Sequence, residues 1–153
     1  MYRLSYTFAI LCASFLTNAQ TSQKRQVIAV IDTFFEGMKN GNILTLKATL
    51  ESDCSLQSIA LNKDSGDIEV RKESIEKFIE AISEKDPSVT YDERISSYEI
   101  KIDGPMAVAW TPYKFYINGN FSHCGVNVFS LVKRKENWRI TSIMDTRRKT
   151  ECL

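Results

Sequence analysis

The strongest structural signal in this chain is Asn118-Gly119, which lies between two long runs of β-branched, aromatic and other apolar residues. Asn and Gly readily adopt the left-handed backbone of a two-residue hairpin turn, so the pair predicts a β-hairpin. A second turn signal, Asp103-Gly104, precedes the first run, and a polar segment, K-R-K-E-N, follows the second. Residues 106–147 therefore predict three consecutive antiparallel strands, and the one histidine of the chain, His123, lies in the middle strand.

The N-terminal residues have the pattern of a secretory signal peptide. Arg3 precedes an uncharged, largely apolar run from Leu4 to Leu16, and the small residue Ala19 marks the expected cleavage point. The apolar run is too short to serve as a permanent membrane span. We expect residues 1–19 to be removed, which leaves a single exported domain of residues 20–153 with no membrane span.

Charge and cysteine content exclude several kinds of partner. The chain has 20 basic and 19 acidic residues, and loss of Arg3 with the signal peptide would make the two numbers equal. This balance predicts no binding to nucleic acid or to an anionic membrane surface. The remaining cysteines, Cys54, Cys124 and Cys152, form no Cys/His cluster, so we expect neither a metal site nor a cofactor.

Apolar periodicity predicts three helices and a sheet. Apolar residues recur every three or four positions in residues 22–39, 42–50 and 70–84, which indicates amphipathic helices. Residues 54–61 are typical of a strand. After Val89 the period becomes two, but Ile95 is out of phase with Tyr98 and Ile100, so we expect a bulge near Ser96-Ser97. The prediction is an α+β fold with a curved antiparallel sheet packed on three helices.

The two turns of the meander determine which side chains share a face. A two-residue loop at Asn118-Gly119 pairs Ile117 with Asn120, and the same register along the strands places Trp110 opposite Asn127. A three-residue loop over residues 135–137, with Asn137 in the left-handed position, sets a register in which Asp145 lies beside Asn127. This register predicts a candidate ligand-binding site on one face: Trp110, Tyr116, His123, Asn127, Asp145 and Arg147. A slip of one residue in the second hairpin would move Asp145 and Arg147 to the other face.

Both faces of the predicted meander are apolar enough to be covered. The face with the larger residues, which include Val108, Trp110 and Phe129, is expected to receive the helices. The other face, which holds Ala107 and Ala109, suits contact with a second subunit, so we predict a homodimer. Cys124 would lie opposite position 148, from which the chain could return Cys152 to it and form a disulfide. Cys54 would then remain a buried thiol.

The chain resembles the nuclear-transport-factor-2-like superfamily and, within it, the small exported proteins called putative lumazine-binding, close to the SnoaL-like group. The resemblance rests on V-I-A-V-I-D-T-F-F-E-G-M, on S-L-Q-S, on the hairpin from Ala109 to Phe129, and on W-R-I-T-S-I-M-D-T-R-R-K. It implies a cone-shaped α+β fold with a pocket at the open end, frequent dimerisation, and a bacterial periplasmic or secreted protein. The superfamily contains isomerases, dehydratases, cyclases and proteins that only bind, so it implies no single activity.

Three functions remain open from the sequence. The first is binding of a small, partly aromatic or carboxylate-bearing molecule, in which Arg147 would clamp a carboxylate and Trp110 and Tyr116 would stack on a flat ligand. The second is an isomerase or dehydratase with His123 or Asp145 as general base, in which Asp145 would raise the pKa of His123. The third is a dimeric interaction module without a working pocket. A buried carboxyl group with a raised pKa would favour the enzyme.

Overall fold

The computed structural model describes the backbone of residues 5–153 and the side chains from residue 20 onwards. The predicted signal peptide, residues 1–19, lies outside the described side chains, and residues 1–4 lie outside the description altogether. The helices are α1 (Ser5–Asn40), α2 (Ile43–Thr49) and α3 (Ile75–Ser83). In the described residues, no helix is both long and apolar enough to cross a membrane.

The strands form one seven-stranded open, curved sheet. They are β1 (Leu50–Leu61), β2 (Ile68–Ser74), β3 (Tyr91–Ile95), β4 (Glu99–Asp103), β5 (Met106–Ile117), β6 (Asn120–Arg134) and β7 (Asn137–Arg147). Their order is β2-β1-β7-β6-β5-β3, and β4 also pairs with β5. The predicted α+β class and the meander are confirmed. The sheet is not wholly antiparallel, because β1 and β7 are parallel.

The helix ends follow the local sequence. The α1 stripe of Val27, Ile31, Phe34 and Met38 is buried, and α1 ends before Gly41, whose φ of 65° requires the left-handed region. Asn42 caps α2 by accepting a hydrogen bond from the amide of Thr45. The predicted helix over residues 70–84 is wrong in its first part. Residues up to Ser74 form the edge strand β2, and Ser74 caps a shorter α3.

The strand before the meander is interrupted where the change of phase predicted it. β3 pairs Ile95 with Tyr113, whereas β4 pairs Glu99 with Trp110, so the register changes by one residue between the two strands. Ser96 and Ser97 lie in this interruption, which confirms the predicted irregularity. One consequence is that Tyr91, Glu93 and Ile95 point to the same side of the sheet.

The first hairpin contains a bulge that the sequence analysis did not predict. Ile117 pairs with Asn120 and Tyr116 with Phe121 as expected, and Asn118 and Gly119 both have positive φ. Ser122 then has no partner, and Phe115 pairs with His123. Every later pair is displaced by one residue, so the expected pairing of Trp110 with Asn127 is wrong, and Trp110 lies opposite Val128.

The second hairpin reaches the expected register by another route. Its loop has two residues, Lys135 and Glu136, and Lys135 rather than Asn137 has positive φ. The register then changes at Thr141, between the pairs Leu131–Ile140 and Ser130–Ser142. The shorter loop and the added bulge compensate, so Asp145 lies beside Asn127 as predicted.

The helices pack on the opposite face of β5 from the one expected. Ala107, Ala109, Phe129, Leu131 and Ile140 are all buried in the main core. Met106, Val108 and Trp110 lie on the opposite face and are exposed, with Trp110 47% exposed. The expectation that the larger β5 residues receive the helices is therefore wrong, because the Ser122 bulge reverses the face of β5 relative to β6. The expectation that the face with Ala107 and Ala109 contacts a second subunit is wrong for the same reason, since both residues are buried under the helices.

Two close approaches hold the end of β7 against β6. Cys124 and Arg148 exchange backbone hydrogen bonds, and a disulfide joins Cys124 to Cys152. Gly125 lies so close to β7 that a Cβ atom there would be 1.7 Å from the carbonyl oxygen of Thr146. Cys54 is a free, buried thiol whose pKa burial raises to about 12.

Candidate functional site

A cavity of about 660 Å³ lies between the helix-facing side of the sheet and the helices α1 and α3. This volume is typical of small-molecule pockets. The larger apolar side chains that line it are Phe34, Phe35, Met38, Phe78, Phe115 and Ile143. Exposed residues of β2 and α3 form its opening: Arg71, Lys72, Glu73 and Lys77. A second concavity of about 760 Å³, beside α2 and α3, contains none of the predicted site residues.

Asp145 is the most highly connected polar group in this cavity. Its carboxylate accepts hydrogen bonds from Ser58 Oγ at 2.5 Å, from Tyr113 OH at 3.1 Å and from Arg147 Nε at 2.7 Å. Three donors suit an ionised carboxylate, which only accepts. The Tyr113 hydroxyl remains a donor because burial, together with the charges of Asp145 and Glu93, raises its pKa. The carboxylate of Asp145 is therefore held in place by three hydrogen-bond donors from three strands.

Arg147 is only partly used by this network. Burial acts to lower its pKa, but the hydrogen bond to Asp145 and the carboxylate's charge outweigh that effect and raise it. Nε binds Asp145, whereas no residue from 20 to 153 accepts a hydrogen bond from the two Nη atoms. The side chain is 52% exposed and lines the cavity. Arg147 can thus present a planar pair of donors to a ligand.

Glu93 provides a second carboxyl group of a different kind. As a residue it is half-buried, but its carboxyl group lies in the interior, where Asn127 Nδ2 donates to Oε1 at 2.6 Å. Burial raises the pKa of Glu93 to about 8; the Asn127 hydrogen bond and Arg147 act to lower it, and the charge of Asp145 raises it further. The cavity therefore contains two carboxyl groups in different surroundings: Glu93, which burial shifts toward its neutral form, and Asp145, which three donors hold.

His123 lies in the same cavity but does not form the expected pair with Asp145. Its ring contacts those of Tyr113 and Phe115, and Nδ1 lies 3.1 Å from Ser122 Oγ. Burial lowers the pKa of His123, and the charge of Arg147 lowers it further, which outweighs the opposing effect of Asp145. Asp145 acts to raise the pKa of His123, as expected, but the opposing effects are larger, so the net shift favours the neutral imidazole.

Four of the six predicted ligand-binding residues line the cavity, namely His123, Asn127, Asp145 and Arg147. The other two lie elsewhere because the Ser122 bulge turns them to the opposite face. Trp110 is exposed there, and the ring of Tyr116 packs against Phe121 with the guanidinium of Arg94 above it, 4.1 Å from the ring centre. The structure does not bring Trp110 or Tyr116 near the other four.

Sequence reasoning missed Ser58, Glu93 and Tyr113. Tyr113 was assigned to the wrong face by the expected register, and Ser58 reaches Asp145 through the parallel β1–β7 pairing. Glu93 had a detectable signal, because it alternates in phase with Tyr91 and Ile95 and so belongs to their inward face. In the described residues, no group of three or more Cys, His, Asp or Glu side chains is arranged to hold a metal ion.

Comparisons with known proteins agree with this architecture. Residues 22–144 match the model of the family described as "putative lumazine-binding". The fold is similar to that of an NTF2-like protein of unknown function from Shewanella baltica, with 15% identity, 85% of this chain and 97% of that chain covered, and a TM-score of 0.60. No protein of curated function matches the chain.

Two further solved structures carry names that suggest an activity. One is a putative scytalone dehydratase from Novosphingobium aromaticivorans, with 13% identity, coverage of 90% of this chain and 91% of that one, and a TM-score of 0.69. The other is a putative dehydratase of the NTF2-like family from Streptomyces avermitilis, with 10% identity, coverage of 86% and 99%, and a TM-score of 0.64. Identities this low show a common fold and say nothing about whether an activity is shared. The fold is thus shared with proteins described as NTF2-like, and because the family match spans most of the chain, the chain belongs to the putative lumazine-binding family.

Proposed function

We propose that this protein is exported and binds a small organic acid in the cavity between the sheet and the helices, with the ligand's ring system against the phenylalanines and its carboxylate on Arg147. The observation that carries this proposal is the state of Arg147, whose Nε is held by Asp145 while both Nη atoms have no acceptor in the described chain. A guanidinium fixed in this way matches the two oxygens of a carboxylate.

The composition of the cavity supports a ligand with a flat apolar body. Phe34 and Phe78 stack at 5.9 Å between ring centroids, and Phe115 packs against Tyr91 at 5.8 Å. Inside the cavity the polar groups cluster around Asp145 and Glu93, whereas charged side chains of β2 and α3 line the opening. An apolar cavity with a few convergent polar groups is the usual form of a small-molecule site.

The test uses 2-naphthoate as a planar carboxylate probe and its neutral counterpart, 2-naphthamide, with binding measured by titration calorimetry. We expect the wild-type protein to prefer the carboxylate and Arg147→Met to lose at least about tenfold in affinity for it, the equivalent of one charge-assisted contact. Arg148→Met is the matched control, because it removes the same charge at the next position and should leave affinity nearly unchanged. Equal losses in the two variants would contradict a specific role for Arg147.

Export has its own measurement. If residues 1–19 are a signal peptide, the protein recovered from the periplasm or the medium should begin at Gln20. Recovery of the full-length chain in the membrane fraction would contradict export by cleavage.

A second candidate, an isomerase or dehydratase, is favoured by the pairing of a neutral Glu93 with an ionised Asp145. Carboxyl groups held in opposite charge states are a common basis of acid–base catalysis. In this candidate the neutral Glu93 would serve as general acid, and His123, whose neutral imidazole can accept a proton, would serve as the general base, because Asp145 is already hydrogen-bonded to three donors. Exchange of α-protons of 2-tetralone for deuterium, followed by NMR, tests this activity. A rate that Glu93→Gln leaves unchanged counts against it.

A further inference from the structure

We propose that Glu93 acts as a neutral acid that donates its carboxyl hydrogen to the ligand's carboxylate, so that the cavity takes up an organic anion only together with a proton. The inference rests on the proposed function and assigns the residue that determines which charge state of the site accepts the ligand.

The charges inside the cavity make this arrangement necessary. The polar side chains of the cavity that are hydrogen-bonded to one another are Ser58, Glu93, Tyr113, Asn127, Asp145 and Arg147. Among the described residues Arg147 is the one cation in this set, and Asp145 already engages its Nε. The described hydrogen-bond partner of Glu93 is the neutral amide of Asn127. An ionised Glu93 would therefore place three anions, including the ligand, around one guanidinium. Protonation of Glu93 removes one of these charges, and the buried site then holds two anions and a cation.

The hydrogen-bond geometry identifies the proton's place. Because Asn127 donates to Oε1, that oxygen is an acceptor, and the carboxyl proton belongs on Oε2. No described residue is hydrogen-bonded to Oε2, and Glu93 lines the cavity. A carboxyl hydrogen in the interior needs an acceptor, and a ligand oxygen supplies it. Such a bond to an ionised acceptor is among the stronger hydrogen bonds in proteins.

The other titratable and charged groups around the cavity bear on whether a transition near pH 8 belongs to Glu93. They are His123 on β6, Tyr113 on β5, Tyr91 on β3, Asp145 and Arg147 on β7, Arg71, Lys72 and Glu73 on β2, and Lys77 on α3, whereas α1 contributes apolar side chains. Burial lowers the pKa of His123, and Asp145 raises that of Arg147, so both move away from this range. Glu93, with a pKa raised by burial to about 8, lies in it.

The direction of the pH effect follows from linkage. Below pH 8 Glu93 carries its donor hydrogen, and 2-naphthoate, which is already ionised, can bind. Above pH 8 the donor is lost and a repelling charge takes its place, so affinity should fall by up to about tenfold per pH unit. Binding should also take up protons from solution near pH 8, because the bound ligand raises the pKa of Glu93 further.

The experiment measures the Kd of 2-naphthoate from pH 6 to pH 9.5 for wild type, Glu93→Gln and Glu73→Gln. Glutamine resembles the neutral acid in shape and can donate, so Glu93→Gln should retain affinity within about threefold at pH 7 and show no fall above pH 8. Glu73→Gln, which alters an exposed carboxylate at the opening of the same cavity, should follow the wild-type curve. Calorimetry at pH 8 in two buffers of different ionisation enthalpy should detect proton uptake in wild type and Glu73→Gln but not in Glu93→Gln.

A measurement without ligand separates the two proposals. The folded pKa of Glu93 lies above its unfolded value, so its contribution to stability is full below about pH 4.5 and is lost as the pH rises through about 8. Urea denaturation should show this loss in wild type and not in Glu93→Gln. Failure of 2-naphthoate to bind at any pH overturns the proposed function. Binding that does not depend on pH in wild type, or stability curves that coincide, overturns the present inference.

Discussion

The disulfide between Cys124 and Cys152 permits a quantitative prediction, because the length of the loop that it closes is known. The two residues are 28 apart in sequence. The chain-entropy relation for a loop of this length gives a stabilisation of about 3.6 kcal/mol at 25 °C. Cys152→Ser should therefore lower the free energy of unfolding by about this amount, which corresponds to a fall in Tm of about 10–15 °C for a domain of this size.

Urea denaturation with and without dithiothreitol tests this value. Cys152 is the better site to alter, because it is half-buried, whereas Cys124 is fully buried. Wild type in reductant should match Cys152→Ser, and reductant should not affect the variant. An unchanged urea midpoint for wild type in reductant would refute the reasoning. So would three alkylated thiols in the unfolded, unreduced mature protein, where we expect Cys54 alone to react.

The same variant connects stability with the site. Arg147 immediately precedes Arg148, whose backbone is hydrogen-bonded to that of Cys124. The disulfide thus holds the end of β7 against β6 next to the guanidinium that is proposed to bind the ligand. Cys152→Ser should therefore weaken 2-naphthoate binding under conditions in which the variant is fully folded. Unchanged affinity would show that β7 keeps its position without the bridge.

Two further predictions concern the sheet. Gly125→Ala should destabilise the protein by about 3 kcal/mol or more, because the new methyl group would lie 1.7 Å from the carbonyl oxygen of Thr146 and push β6 from β7. Gly119→Ala, which has open space around its Cβ, should cost only about 1 kcal/mol for its left-handed backbone. Urea denaturation measures both variants. We also propose that two copies of the chain form a homodimer through the exposed apolar face around Trp110. Light scattering should find Trp110→Lys monomeric, whereas Leu44→Lys, altered at an exposed position elsewhere, should remain dimeric. A monomeric wild-type protein would contradict this proposal.

The sequence was informative where one local signal determines the backbone. Asn118-Gly119 specifies its turn because both residues accept positive φ, and the observed values of 51° and 77° agree. The bulge at Ser122 has no comparable signal. Both faces of β5 are apolar, with Ala107 and Ala109 on one and Val108 on the other, so alternation does not indicate which face is buried. One unpaired residue then reversed the assignment of the whole strand.

Strand β2 was predicted as part of a helix because the spacing of apolar residues alone does not mark where a helix begins. Apolar residues of α3 recur at helical spacing from Ile75 onwards, and the predicted helix was extended back to Val70 although Val70 lies five residues before Ile75. Ser74 is the residue that separates the two elements, because its hydroxyl accepts a hydrogen bond from the Lys77 amide and begins the helix there. An edge strand with many charges has no inward-facing apolar row, so its sequence resembles a solvated helix.

Glu93 shows why the candidate site could be predicted only in part. Asp145 and Asn127 come together through pairing within one hairpin, so a correct register was sufficient to place them. Glu93 reaches Asn127 from β3, across the intervening strand β5, at a distance that depends on the curvature of the sheet. Its phase with Tyr91 and Ile95 shows that it points inward, but the pKa of an inward carboxyl group depends on what surrounds it. A cation beside it would have made it a permanent charge. The cation is instead bound to Asp145, and this division of partners leaves Glu93 as the group whose protonation controls the site.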